Sequence, residues 1–169
     1  MKFIRDPLYE DFIIIEDNLL KVVEHHSFQR LRRISQLGLV SYIYPGATHT
    51  RFSHSLGVLY LMEEAIKNLQ MKGFRIDKTL EFALKFTALV HDIGHSPFSH
   101  ALEMTILNKK HEDITKIIID KILRNVVGNE ISEIAIKIID NSFELKFANE
   151  LISSQLDVDR LDYIRRDAF

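Results

Sequence analysis

The run Lys78-Thr79-Leu80-Glu81-Phe82-Ala83-Leu84-Lys85-Phe86-Thr87-Ala88-Leu89-Val90 passes without a break into His91-Asp92-Ile93-Gly94-His95-Ser96-Pro97, and this junction decides the fold. Asp77 stands where a helix N-cap is expected, and Leu80, Phe82, Ala83, Leu84, Phe86, Ala88, Leu89 and Val90 spread apolar surface around most of the helix, interrupted mainly by Lys85. Such a helix has to be buried. Gly94 and Pro97 then stop it, so a carboxylate and several imidazoles arrive at the end of a core helix. Imidazole nitrogen beside carboxylate oxygen suits Mn, Fe, Co, Ni or Zn, and Mg less well. Taken alone, a His-Asp dipeptide more often reflects a loop-capping aspartate beside a hydrogen-bonded core histidine.

Helical signals continue on both sides. Upstream, Asp17 can cap a short helix and Ser27 a helix over 28–36 that Gly38 ends; a long pattern from Arg51 to Met71 is closed by Gly73. Downstream, helical periods cover 112–123, 130–140, 144–153 and 158 to the end. The opening stretch, with Pro7 and the β-branched Ile13, Ile14 and Ile15, reads as extended and can form a small hairpin. The class is all-α, and we expect one domain over residues 1–169.

Composition narrows the function. The 169 residues carry 22 Lys and Arg against 24 Asp and Glu, which does not imply a surface for polyanions. Cysteine is absent, which removes disulfides and thiolate metal sites and is compatible with a cytoplasmic address. Charges interrupt the apolar runs of the N-terminus before a signal-peptide core or a membrane span can form. Of the eight histidines, six fall between His49 and His111, a clustering that ordinary surfaces and cores do not require.

Four ordered blocks give that clustering a meaning: Gln29 to Gly38 (QRLRRISQLG), His49 to Val58 (HTRFSHSLGV), His91 to His100 (HDIGHSPFSH) and Asp157 to Tyr163 (DVDRLDY). Together they resemble the deoxynucleoside triphosphate triphosphohydrolase branch of the HD superfamily. The resemblance implies an all-helical HD domain and a divalent metal ion held by His54, His91, Asp92 and Asp159. It also implies that His95 orients the water or a phosphate, and that His100 or His111 protonates the leaving oxygen, with Glu112 orienting His111. Arg51, Arg160 and Tyr163 correspond to phosphate contacts, although relatives often carry lysine at position 160. Gln36, Leu37 and Asp167 correspond to the sugar site, where ordinary core packing explains Leu37 equally well. Arg30, Arg32 and Arg33 read as the solvated basic face of an amphipathic helix rather than a nucleic-acid contact.

The leading expectation is a homo-oligomeric nucleotide hydrolase that releases deoxynucleoside and triphosphate, with no membrane partner and with nothing in the sequence that calls for a nucleic-acid partner. Alternatives are a nucleotide monophosphatase or phosphodiesterase with the same metal chemistry, and a non-catalytic nucleotide-binding or assembly module. The chain ends in a helical run without a capping Gly or Asn, as though cut within a longer protein or belonging to a minimal relative.

Overall fold

The computed structural model describes residues 1–98 and 108–168. The N-terminus forms a two-stranded antiparallel hairpin, β1 (Lys2–Arg5) and β2 (Phe12–Ile15), with Lys2 opposite Ile15 and Arg5 opposite Phe12. Period-two alternation turns Ile13 and Ile15 into the core and leaves Phe12 and Ile14 outside. Among the described residues the helices that follow are α1 (Asp17–Glu24), α2 (His26–Gln29), α3 (Arg51–Met71), α4 (Lys78–Val90), α5 (His111–Ile118), α6 (Arg124–Val127), α7 (Asn129–Ile139), α8 (Lys146–Ile152) and α9 (Val158–Ala168). A π-helical turn, Ile119–Leu123, joins α5 to α6.

The expected helix over 28–36 is corrected. The side chain of His25, not Ser27, accepts from the N–H of Ser27, α2 ends at Gln29, and a 3-10 turn, Arg30–Arg33, follows. Beyond it the chain is extended, because Ile34 and Gln36 pair with Arg51 and His49 through N–H···O bonds of 2.9 and 3.1 Å. This pairing lays residues 34–36 against the start of α3. There Thr50 and Ser53 form a capping box that satisfies the first N–H groups of the helix. Asp77 caps α4 as expected, accepting from Leu80 N–H at 2.9 Å.

Helix α4 packs against both α3 and α7, and α9 lies on α3. Val90, Leu89, Phe86 and Ala83 enter one apolar cluster with Phe28, Phe52 and Leu59, while Leu80, Leu84 and Ala88 enter another with Met62, Ile138 and Val158. Burial on two faces is what the nearly uniform apolar surface of α4 requires. As a result its C-terminus, with His91 and Asp92, is fixed beside the first turns of α3 and α9. Among the described residues no helix is long and apolar enough to cross a membrane.

Candidate metal centre

Four side chains from three segments meet at the end of α4. His54 comes from the first turn of α3, His91 is the C-cap of α4, Asp92 follows it, and Asp159 lies in the first turn of α9. Asp157 fixes that last turn: its carboxylate accepts from the N–H groups of Ser154 at 2.8 Å and Arg160 at 2.7 Å. The Nε2 atom of His54 lies 3.0 Å from an oxygen of Asp159 and 3.6 Å from one of Asp92. His91 Nε2 is 3.6 Å from each of the same two carboxylates. One ligand atom each from His54, His91 and Asp159 falls within a 4.8 Å group, and so does one each from Asp92, His95 and His111.

The backs of the two imidazoles are tied down. His54 Nδ1 lies 2.8 Å from Asp162 Oδ2, and His91 Nδ1 lies 2.8 Å from the carbonyl of Ala88. Both acceptors favour a hydrogen on Nδ1 and leave Nε2 as the nitrogen that faces the carboxylates. Each Nε2 is buried and has no well-formed hydrogen bond among the described residues. Buried nitrogens are seldom left this way. Two oriented imidazoles and two carboxylates, with both Nε2 atoms facing inward, fit a divalent transition metal.

Electrostatics agree with a site that gathers cations. Burial alone would depress both imidazoles, but Asp159 and Asp162 raise His54, and Asp92 with Asp159 pushes His91 up to about 9. Burial would raise Asp92 and Asp159, yet the facing imidazoles hold both below the usual carboxylate range, with Arg51 adding to the effect on Asp92. In His95 burial prevails and lowers the pKa.

The remaining sequence-selected residues divide into three groups. His95 Nε2 lies 3.3 Å from Asp92, and the His95 ring stacks on His111 at 3.8 Å between centroids with 15° between planes. Glu112 stands 3.5 Å from His111 Nδ1. His91, Asp92, Asp159, His111 and Glu112 line one cavity of about 150 Å³. The guanidinium of Arg51 is buried and bonded to Asp92, so its position is set by a metal-ligand candidate. Arg160 is half exposed near Asp157, at 3.9 Å, and Tyr163 is partly buried one turn after Asp159. Leu37 and Asp167 line a different, wider cleft of about 500 Å³ with Tyr44 and His49, and Asp167 sits 3.1 Å from His49 Nε2. Gln36 is partly buried, its N–H on the His49 carbonyl. His100 lies outside the described residues.

The reading of Arg30 as part of a solvated basic face is corrected. Its guanidinium donates to the carbonyl of His95 at 2.7 Å and to that of Ile93, bracing the turn that carries the histidines. Arg32 lies over the Phe52 ring at 3.6 Å yet remains exposed, as does Arg33, in keeping with the solvated face expected for them. Thr115, buried in α5, braces the same turn from the other side. Its hydroxyl accepts from Gly94 N–H at 2.9 Å and donates to the His91 carbonyl at 3.0 Å. The sequence reading gave no role to Thr115, Asp162 or Arg166. A charged pair at the (i, i+4) spacing of 162 and 166 was the one available signal, and exposed helix pairs share it.

Residues 51–167 match the family described as HD domain. A phosphohydrolase from Bacteroides thetaiotaomicron, of known crystal structure, is 46% identical with a TM-score of 0.92, over 100% of this chain and 42% of that one. The uncharacterized protein YwfO of Bacillus subtilis is 35% identical over 99% of this chain and 40% of its own length. The deoxynucleoside triphosphate triphosphohydrolase SAMHD1 of Gallus gallus is 32% identical over 93% of this chain and 26% of its own. The chain thus spans well under half the length of each of these relatives.

Proposed function

Since the chain belongs to the HD domain family, we propose that it is a metal-dependent phosphohydrolase that acts on nucleotides and splits deoxynucleoside triphosphates into deoxynucleoside and triphosphate. The observation that carries this is the pair of buried imidazoles, anchored through Nδ1 and turned through Nε2 toward Asp92 and Asp159. The likeness to triphosphohydrolases over 93% of the chain supports the substrate class.

His54, His91, Asp92 and Asp159 would hold the ion. A divalent metal supplies Lewis-acid polarisation of a phosphoryl oxygen and makes a water more acidic. The protein supplies the proton transfers. His111 faces the same cavity as the ligands, with Glu112 behind its Nδ1, and so can carry a proton on Nε2 toward a departing oxygen. His100 is the other proposed donor. His95, lowered by burial, holds its Nε2 toward Asp92 and is suited to orienting a water or phosphate beside that carboxylate. Arg51 brings a fixed positive charge to the edge of the group, and with Arg160 and Tyr163 it is proposed to meet the phosphates. Gln36, Leu37 and Asp167 are proposed to take the sugar, with Leu37 and Asp167 in their shared cleft.

The test is a screen of protein loaded with Mn, Co, Ni, Zn or Mg against nucleoside mono-, di- and triphosphates, with products separated by anion exchange. Equal amounts of deoxynucleoside and inorganic triphosphate are expected. Orthophosphate released only from monophosphates would make the protein a monophosphatase, and cleavage of cyclic nucleotides a phosphodiesterase. Nucleotide binding without turnover would make it a binding module.

A further inference from the structure

Behind the metal-ligand candidates lies a polar network that the chemistry above does not use. Asp162, on α9, is fully buried and accepts four contacts: His54 Nδ1 at 2.8 Å, Tyr9 Oη at 2.6 Å, and Arg166 Nε and Nη2 at 2.8 and 2.9 Å. Arg166 is itself buried and reaches on to the Asp6 carboxylate, at 3.0 and 3.4 Å. The chain therefore runs from the hairpin turn through Asp6, Arg166 and Asp162 to His54.

Each member restricts the next. Both oxygens of Asp162 are filled: Oδ2 takes His54 and Arg166 Nε, while Oδ1 takes Tyr9 and Arg166 Nη2. The Tyr9 phenol is pushed far up by burial and by Asp162, so it stays protonated and donates. With an arginine donating to both of its oxygens, the Asp162 carboxylate is set as an acceptor toward His54. A second, independent observation is the backbone of α3. Gly57, three residues after His54, has no room for a side chain: a Cβ there would stand 1.8 Å from Asp162 Oδ1 and 2.5 Å from Arg166 Nη2. Helix α3 is moulded around the carboxylate–guanidinium pair.

We propose that Asp162 is the positioning residue of the metal centre: held by Tyr9, Arg166 and Asp6, it keeps His54 in the Nδ1–H tautomer, so that Nε2 is free for the ion. The proposal rests on the reading of His54 as a ligand. Without this acceptor, the carboxylate of Asp159, 3.0 Å from Nε2, becomes the partner that draws the hydrogen to the wrong nitrogen. Loss of a carboxylate behind a ligating imidazole typically weakens metal binding about ten- to a hundredfold.

The test compares wild type with Asp162→Ala and Asp162→Asn. Zinc affinity is measured by competition with a chromophoric chelator. The hydrogen-bearing nitrogen of His54 is identified by long-range 1H–15N NMR, in zinc-loaded protein and in metal-free protein at alkaline pH, where the imidazoles are neutral. Wild type is expected to show hydrogen on Nδ1. Asp162→Ala should move it to Nε2 in the metal-free protein and weaken zinc about ten- to a hundredfold. Asp162→Asn, which keeps the shape and one oxygen acceptor, should fall between and serves if the alanine variant does not fold. A folded variant that binds zinc as tightly as wild type would overturn the proposal, as would wild-type His54 with its hydrogen on Nε2. Because the tautomer is also read without metal, a wild type that bound no ion would refute the metal reading while Asp162 was still tested.

Discussion

Gly94→Ala probes the turn on which the candidate centre depends. A Cβ at Gly94 would lie 2.1 Å from the carbonyl oxygen of His111 and 2.5 Å from the Thr115 nitrogen, both backbone atoms of α5. Reaching an ordinary carbon–oxygen contact of about 3.3 Å requires the start of α5 to retreat by about 1.2 Å. The same movement stretches Gly94 N–H to Thr115 and Thr115 to the His91 carbonyl, now 2.9 and 3.0 Å, to about 4 Å, beyond hydrogen-bonding range. Two bonds at about 1 kcal/mol each, with overpacking of about 1 kcal/mol, give a loss of about 3 kcal/mol. For a chain of this size that lowers Tm by about 6–12 °C. His111 moves with α5 away from His95, and a displacement of about 1 Å in a proton donor costs on the order of a hundredfold in turnover. Thr115→Val is the control: it removes the two bonds without forcing α5 outward, so it should lose about 2 kcal/mol and retain more activity than Gly94→Ala. Melting curves and single-turnover product formation on the two variants decide the matter. Gly94→Ala that melts within about 2 °C of wild type and turns over at an unchanged rate would refute the close packing of this turn on α5.

Four further outcomes are expected. Asp92→Ala should lose bound metal and hydrolysis together, checked by elemental analysis and product assay on the same preparation; wild-type turnover without metal would contradict the role of Asp92. Metal affinity should rise with pH up to about 9, because the ion must displace a proton from His91, raised to about 9, and from His54, also raised. The stability of the metal-free protein should run the other way. Imidazoles whose pKa is raised on folding stabilise the fold fully below their unfolded value of about 6.5, and that contribution is lost as pH rises through the folded value. Chelator-treated protein should therefore melt lower at pH 9 than at pH 6.5, while metal-loaded protein gains stability over the same interval; parallel melting trends would exclude protonated imidazoles at the centre. Finally, if Leu37 crowds a ribose 2'-hydroxyl, deoxyribonucleotides should be preferred by roughly ten- to a hundredfold in kcat/KM, and Leu37→Gly should narrow the gap by admitting the ribonucleotide. A ratio near one in both proteins would leave Leu37 as a packing residue.

What the sequence determined by itself was local. The spans of α3 and α4, the Asp77 cap and the stop at His91 to Gly94 follow from capping side chains, helical spacing and backbone freedom, all legible within a few neighbouring residues. The resemblance of the four blocks also pointed to His54, His91, Asp92 and Asp159, and the fold gathers these four side chains at the end of α4. The tertiary structure decided what depends on partners far along the chain. The helix expected to reach Gln36 ended at Gln29, because the chain instead paired residues 34–36 with 49–51. Arg30 left the solvated face assigned to it because the carbonyls of Ile93 and His95, more than sixty residues away, needed donors. Asp162 looked like one more helical acid. Its contact with His54 spans 108 positions and that with Tyr9 spans 153, and no periodicity or local propensity encodes such distances. Only the burial of α9 against α3 turns an ordinary (i, i+4) ion pair into the support of an imidazole, since desolvation makes every unmet donor and acceptor there costly.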